Sequence, residues 1–298
     1  MKRYLRKLIK RVFFHPLEAI AVYSAYFISL SLPLERASAA FGWLARNVTR
    51  ISGENKIARR NLNLAFPEKN AEEIDRIIKD VWDNFGRMMG EYGHLKNINI
   101  YEDPRFEVIG AEIIDQLRDD SKPAIIFSAH LASWEVAIMA AKQRGLKLAQ
   151  LYRTLNNPIV DWLIMYVQRK IGHEVLTKGS VDGRKLLAVL KRGEHLFMLV
   201  DQKLNGGISV PFLGRNAMTA PAAGRLALQL DCPLVPARVE RLEGFKFRIT
   251  FYPPLELPKI EDKNQAVFEI MSQVNAIIGT WVHAKPGQWL WLHNRWPK

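Results

Sequence analysis

The sequence predicts an α/β fold in which a central, mostly parallel sheet is flanked by helices, with a membrane-associated helix at the N-terminus. Three observations lead to this prediction. Short apolar runs alternate with segments of helical periodicity, the connections between them are short, and a basic and then apolar stretch opens the chain. With 298 residues, 48% of them hydrophobic, the chain can bury one sizeable core. We therefore expect an anchor at 1–40 and one globular domain at 41–298.

The N-terminal stretch is predicted to be a helical membrane anchor. The first fifteen residues contain six basic residues and no acidic residue: Lys2, Arg3, Arg6, Lys7, Lys10 and Arg11. In the following segment 17–34, 13 of 18 residues are apolar, which is near the lower limit for a membrane span. Because basic residues also follow this segment, a helix lying in the interface explains both flanks better than a simple span. A buried core helix and a signal peptide are the alternatives.

The first helix of the globular domain is predicted at 70–92. Its apolar residues recur at helical spacing, and Asn70 with Glu73 three positions later matches a capping box. Further helices are predicted at 133–145 with Ser133 as N-cap, at 158–172, at 180–193, at 219–230 with Thr219 as N-cap, and at 264–284.

The strands are predicted from short apolar runs between these helices. They lie at 123–129, 146–152, 195–202, 233–240 and 246–254. Their alternation with helices predicts parallel pairing, and ligands of parallel sheets bind at the carboxyl ends of the strands. His130 and Asp201 both fall where a strand is predicted to end, which is the first indication of a site.

The formal net charge of +13 favours anionic partners, namely nucleic acid, a phospholipid surface or an acidic protein. Cys232 is the only cysteine, so an internal disulfide is excluded, and its apolar surroundings favour a buried small residue over a catalytic thiol. Histidine and cysteine pairs with metal-ligand spacing are absent, as is a Gly-rich phosphate loop. We therefore expect neither a metal nor another cofactor.

His130 and Glu135 are the predicted catalytic pair. Glu135 falls in the first turn of the predicted helix at 133–145, and the short loop before it can bring the imidazole to the carboxylate. A carboxylate bonded to one ring nitrogen makes the other nitrogen a better base towards a hydroxyl. The alternative is a core histidine beside a glutamate that only stabilises the helix terminus.

Five blocks of the sequence resemble the lipid A biosynthesis acyltransferases, a family within the lysophospholipid acyltransferase superfamily. These are "ARRNLNLAFPE" (58–68), the His-x4-Glu block (130–135), "LYRTLNNPIVD" (151–161), "DQKLNGGISVPFLGRNAMTAPA" (201–222) and "PGQWLWLHNRWPK" (286–298). The family pattern often has Gly-Asn where this chain has Ala132-Ser133, Pro where it has Thr154, and Glu where it has Gly287.

The resemblance implies an acyltransferase domain at 41–298 with a glycerolipid acyltransferase-like fold. It also implies transfer of a fatty acyl chain from acyl carrier protein to a hydroxyl of a phosphorylated glucosamine lipid, at the cytoplasmic face of the inner membrane. Another acceptor, such as a lysophospholipid or a glycolipid, is the alternative within enzymes. A non-catalytic basic protein that binds membrane or nucleic acid is more remote, because it leaves the polar groups at the strand ends unexplained. Nucleic acid is not an expected partner.

On the same basis, substrate-binding roles are expected at strand ends and loops. Arg153 offers a planar set of donors to a phosphate or an oxyanion, and Asn156 follows it in the same block. The other expected substrate-binding residues are Asp201, Gln202, Lys203 and Arg225. Phe212 and Leu213 are expected to line the acyl groove. The tryptophans at 289 and 291 leave three alternatives open: a membrane interface, a stacking surface for nucleic acid, or core packing.

Overall fold

The computed structural model describes residues 10–49, 52–120, 122–172, 174–178 and 183–296. Four of the predicted N-terminal basic residues, those at positions 2, 3, 6 and 7, therefore lie outside the described residues, as does the start of the predicted helix at 180–193. A π-helical turn at Lys10–Phe14 leads into the first α-helix.

A seven-stranded sheet forms the centre of the molecule, and its strand order is β1-β9-β8-β2-β5-β3-β4. The strands of this sheet are β1 (Phe106–Ile109), β2 (Ile125–Ser128), β3 (Leu148–Arg153), β4 (Glu174–Lys178), β5 (His195–Leu199), β8 (Leu234–Arg241) and β9 (Phe247–Phe251), while β6 (Lys203–Phe212) and β7 (Arg215–Thr219) form a separate antiparallel hairpin. The neighbouring pairs of the large sheet are parallel except β8 and β9. The predicted α/β class with a mostly parallel sheet is confirmed.

Ten α-helices are described. They are α1 (His15–Leu30), α2 (Leu34–Val48), α3 (Glu54–Ala65), α4 (Ala71–Glu91), α5 (Ala111–Asp119), α6 (Glu135–Gln143), α7 (Pro158–Lys170), α8 (Gly183–Lys191), α9 (Ala222–Leu230) and α10 (Lys263–Ala284).

The buried strand β2 separates two hydrophobic clusters, one on each face of the sheet. Successive strand residues point to opposite faces, so Phe127 joins the cluster that contains Trp281 and α10, whereas Ile126 joins the cluster that contains Ile138 on α6. Burial on both faces explains why this strand is an uninterrupted apolar run. The rigid centre fixes the strand ends from which the site is built.

Helix α4 begins as the sequence predicts, because the Asn70 side chain accepts the backbone N–H of Glu73 and the Glu73 side chain accepts that of Asn70. Its later half lies very close to α2. A Cβ placed on Gly86 would come within 2.3 Å of the Phe41 carbonyl oxygen. At Gly90 the same test gives 2.5 Å to the Ala37 carbonyl oxygen. Glycine at these positions therefore allows the two helices to pack at backbone distance.

A buried ion pair holds α4 against the sheet. Arg241 of β8 donates two hydrogen bonds to Glu91 at the end of α4, at 2.6 and 2.9 Å. Ser38 of α2 donates a third at 2.6 Å. Removing either charged partner would leave a buried charge uncompensated. The predicted boundary at residue 40 falls inside α2 and stays a prediction.

Helix α1 lies mostly on the surface. Together with the preceding turn, the segment Val12–Leu30 is long and apolar enough to cross a membrane, and only 17% of it is buried. The alternative of a buried core helix is therefore wrong for this segment.

Several local predictions need correction. Ser133 is not the N-cap of α6, since Trp134 occupies that position and makes no side-chain capping bond. Thr219 closes β7, and α9 starts only at Ala222 after Pro221. The sequence does not predict strands β1 and β4, the β6–β7 hairpin, or helices α2, α3 and α5. Trp289 and Trp291 are fully buried, so core packing is the correct alternative for the C-terminal tryptophans.

Candidate active site

His130 and Asp201 meet at the carboxyl edge of the sheet. His130 follows β2 by two positions and Asp201 follows β5 by two positions, and these strands are parallel neighbours. The His130 Nδ1–H donates to Asp201 Oδ1 at 2.7 Å, and the His130 backbone N–H donates to Oδ2 at 2.9 Å. One carboxylate thus fixes both the backbone and the ring of His130.

Asp201 has a third donor and no exposed surface. The Trp289 indole N–H donates to its Oδ2 at 2.7 Å. Burial raises the pKa of Asp201, but the charge and hydrogen bonds of His130 outweigh burial, so the pKa lies well below its usual value. An ionised Asp201 holds the proton of the imidazole on Nδ1 and leaves a lone pair on Nε2.

His130 lines a crevice at the surface. Gln202 Nε2 donates to the Nε2 atom of His130 at 3.2 Å, and the imidazole side chain is 16% exposed. The crevice is lined by Val81, Asn84, Phe85, Met88, His130, Trp134, Gln288, Trp289 and Leu290. The imidazole of His130 is therefore partly exposed beside apolar side chains of α4.

The carboxylate that bonds the imidazole is Asp201, and the predicted bond from Glu135 is wrong. Glu135 lies in the first turn of α6 and accepts from Gln168 Nε2 of α7 at 2.8 Å and from Trp134 Nε1 at 3.2 Å. Asp201 meets the imidazole because it follows β5, the parallel neighbour of the strand that precedes His130. Glu135, in the first turn of α6, is buried in the interior. A catalytic contribution of Glu135 stays a prediction.

Glu135 is nevertheless linked to the imidazole of His130 through Trp134. Burial raises its pKa to about 7, against the lowering effect of the hydrogen bonds from Gln168 and Trp134. The Trp134 ring meets the His130 ring edge to face, with 4.9 Å between the centroids. Glu135 therefore contacts Trp134, the side chain that packs against His130.

The loop that carries His130 is fastened to the C-terminal segment. Ala132 N–H donates to the Gln288 carbonyl at 2.9 Å, and Leu290 N–H donates to the His130 carbonyl at 3.1 Å. Ala132 adopts a left-handed backbone with φ of 49°. This sharp turn and the two bonds set the direction of the imidazole.

The other predicted residues are spread around the same edge and the neighbouring surface. Arg153 ends β3, with Asn156 in the following loop, and both are exposed. Lys203 opens β6 directly after Gln202, and Arg225 is exposed on α9. Of the predicted substrate-binding residues, the structure brings Asp201 and Gln202 to the imidazole.

Phe212 lies in the core instead of an open groove. Its ring packs 5.6 Å from Trp289 and 5.8 Å from Trp296, centroid to centroid, and the Arg295 guanidinium lies 4.8 Å from its centroid. Leu213, at the turn between β6 and β7, is half-buried, and its role in an acyl groove stays a prediction.

The sequence does not predict one residue of the site and one residue that joins α7 to α1. The first is Trp289, whose bond to Asp201 depends on contact between distant segments. Asn157 is buried at the N-cap of α7 and donates to the His15 carbonyl at 2.8 Å. An asparagine before proline at a helix start was the available signal for its capping role.

Among the described residues, no group of three or more His, Cys, Asp or Glu side chains could hold a metal ion. Cys232 is buried in the core, and burial raises its thiol pKa to about 11.

Comparison with known proteins defines the chain as an acyltransferase. The model of the family "bacterial lipid A biosynthesis acyltransferase" matches residues 9–298, so the chain belongs to that family. It is 25% identical over 250 residues to the lipid A biosynthesis lauroyltransferase of Escherichia coli K12, covering 80% of this chain and 78% of that protein. It is also 25% identical over 239 residues to the myristoyltransferase of the same strain, covering 78% and 72%.

Among solved structures, the chain is similar to the 1-acyl-sn-glycerophosphate acyltransferase of Thermotoga maritima. The TM-score is 0.36 at 14% identity, with coverage of 75% of this chain and 97% of that chain.

Proposed function

We propose that this protein transfers a fatty acyl chain from acyl carrier protein to a hydroxyl of a phosphorylated lipid A precursor, at the cytoplasmic face of the inner membrane. The observation that carries the proposal is the partly exposed imidazole of His130, which lines the crevice, has its Nδ1–H held by Asp201 and has Nε2 bonded to Gln202. Family membership supports the reaction class, and the names of the relatives supply the class of acceptor.

The chemistry follows from this tautomer. Nε2 of His130 removes the proton of the acceptor hydroxyl as its oxygen attacks the thioester carbonyl. The carbon–sulfur bond then breaks, and the imidazolium returns the proton to the departing thiolate. Ionised Asp201 stabilises the imidazolium, and general base catalysis of this kind contributes about 10²–10⁴ in rate.

Gln202 bonds the nitrogen that must accept the proton. An acceptor hydroxyl therefore has to replace this amide at Nε2, and the released amide can then bond the hydroxyl or the developing oxyanion. We propose that Gln202 marks the position of the acceptor oxygen. Glu135 supports the imidazole through Trp134.

Charge supports the proposed partners. With a net charge of +13, the surface attracts a phosphorylated lipid and an acidic carrier protein. The exposed cations Arg153 and Arg225 are the proposed phosphate or carrier contacts, together with Lys203. Helix α1 is the proposed anchor.

The direct test is His130→Ala, assayed for acyl transfer from acyl carrier protein to the phosphorylated glucosamine lipid. We expect kcat to fall by about 10²–10⁴, since the general base is lost. His283→Ala is the matched control, because His283 is exposed at the end of α10. Activity of H130A within a few-fold of the unmodified protein would exclude His130 as the base.

Parallel assays with a lysophospholipid acceptor and with a coenzyme A thioester separate the competing substrates. Faster transfer to the lysophospholipid, or from coenzyme A, would overturn the proposed acceptor or donor while leaving the acyltransferase class in place.

A further inference from the structure

Helix α7 is apolar on two faces. Val160, Leu163 and Val167 are buried, as the core-facing side of a surface helix requires. On the outer side, Ile159 is 44% exposed and Trp162 is 62% exposed. The outer face of a helix in water is normally polar, so this second apolar face indicates a surface that contacts another molecule or a membrane.

The exposed apolar residues form one stripe. Leu155 in the preceding loop, then Ile159, Trp162 and Tyr166 on α7, recur at intervals of three or four residues and are all exposed. Trp162 and Tyr166 stack with 5.7 Å between their centroids. We call these four residues the α7 stripe.

The α7 stripe adjoins the proposed anchor. Tyr23 of α1 donates its hydroxyl to the Ile159 carbonyl at 3.1 Å. Asn157 at the start of α7 donates to the His15 carbonyl and, at 3.0 Å, to Glu18 of α1. Helix α1 itself exposes Leu17, Ile20, Phe27 and Ile28, each by more than half. The two helices therefore present neighbouring apolar surfaces.

Cations accompany the aromatic residues. Arg169 and Lys170 occupy the last turn of α7, and the Lys170 ammonium lies 5.6 Å from the centre of the Tyr166 ring. Tryptophan and tyrosine beside basic residues are typical of the level of lipid headgroups. Basic groups there are attracted to anionic lipids, which favours a bilayer over a second protein chain as the occupant.

We propose that α7 is a second membrane-contacting element, which lies in the interface of an anionic phospholipid bilayer beside α1. Helix α7 starts just after β3, whose carboxyl end lies at the same sheet edge as His130. The bilayer surface therefore reaches the site edge, and a lipid acceptor can enter without leaving the membrane. The inference rests on the proposed anchor and not on the proposed acyl transfer.

The test uses the full-length protein with an environment-sensitive fluorophore on Trp162→Cys, bound to vesicles of phosphatidylethanolamine and phosphatidylglycerol. Cys232 is buried and does not compete for the label. We expect a blue-shifted emission that is quenched by spin-labelled lipid and protected from aqueous iodide. Ile159→Cys serves the same purpose if the first variant does not fold.

Two further labelled variants separate the outcomes. Ile20→Cys on α1 reports the anchor, and Leu242→Cys, after β8 and exposed by 45%, reports a surface outside the α7 stripe. Lipid quenching at 162 and 20 but not at 242 supports the proposal. Quenching at 20 alone overturns it and leaves the anchor intact, and quenching at neither position overturns both. A concentration-dependent blue shift at 162 without vesicles would identify a second copy as the occupant and would also overturn it.

Discussion

Asp201 accepts three hydrogen bonds at one edge of the sheet, two from His130 and one from Trp289. A carboxylate with this many donors stays ionised and holds the ring in one tautomer. The orientation of the His130 ring, the proposed general base, is therefore set mainly by a residue that follows the neighbouring strand β5.

Asp201→Asn keeps the volume and removes the charge. We expect kcat to fall by about 10²–10⁴, because an amide can favour the wrong tautomer and does not stabilise the imidazolium. Asp231→Asn is the control, since Asp231 has a left-handed backbone that asparagine tolerates and lies in the turn after α9. If D201N retained nearly full kcat with unchanged folding, the orienting role of Asp201 would be disproved.

Glu135 predicts a pH dependence of stability. Its pKa is about 7 in the folded protein against 4.5 for the ordinary side chain. Between these values the folded state holds a proton that the unfolded state has lost, so the free energy of unfolding falls as pH rises through this window. Glu135→Gln removes this pH dependence. We expect the free energy of unfolding of E135Q, minus that of the unmodified protein, to be larger at pH 8 than at pH 4.5 by about 3 kcal/mol.

Urea unfolding of both proteins across this pH range measures the difference. Glu243→Gln, in the exposed turn before β9, is the control for removal of a carboxylate. If the free energies of unfolding of E135Q and of the unmodified protein changed with pH in the same way, folding would not raise the pKa of Glu135.

The residues of the site were only partly predictable. His130 and Asp201 share a sheet edge because both follow apolar runs, and sequence order alone reveals this. The predicted contact between Glu135 and His130 was wrong because it was inferred from proximity along the chain. Asp201, which follows the neighbouring strand β5, makes this contact. Trp289 is 88 positions from Asp201, and such a contact has no local signal.

At the scale of elements, the close approach of α2 and α4 is the most sensitive contact. Gly86→Ala should be destabilising by about 2 kcal/mol, although alanine favours a helix by about 1 kcal/mol over glycine, because the new methyl group meets the Phe41 backbone. Gly53→Ala is the matched control, since a Cβ at Gly53 meets nothing within 4 Å. Thermal unfolding compares the two variants, and equal melting temperatures would show that the helices can separate without cost.

Element prediction succeeded where a pattern was local. The α4 capping box and the uninterrupted apolar run of β2 are both local, and both predictions were close to the observed bounds. The β6–β7 hairpin was missed because β6 contains glycine and proline and most positions of the two strands are half-buried or exposed, so no regular alternation marks them. Strand β4 pairs at the sheet margin and has a mixed composition that resembles a loop.

At the scale of the whole molecule, the net charge predicts a salt effect. Raising the ionic strength from about 0.1 to 1 M shortens the screening length from about 10 to 3 Å, so the attraction for an acidic carrier protein weakens. Under the proposed function we expect KM for acyl carrier protein to rise at least about tenfold with little change in kcat. Steady-state kinetics with an uncharged acyl-pantetheine donor is the control, and an equal rise for that donor would argue against electrostatic recruitment.

The bridge between the His130 loop and residues 288–290 has a consequence for biosynthesis. The tail bonds the His130 carbonyl and the Ala132 N–H, on either side of Leu131, and Trp289 completes the partners of Asp201. Translation adds residues 288–290 after His130 and Asp201. Under the proposed function, a growing chain therefore has no aligned imidazole until these three residues have been made and have folded against the loop.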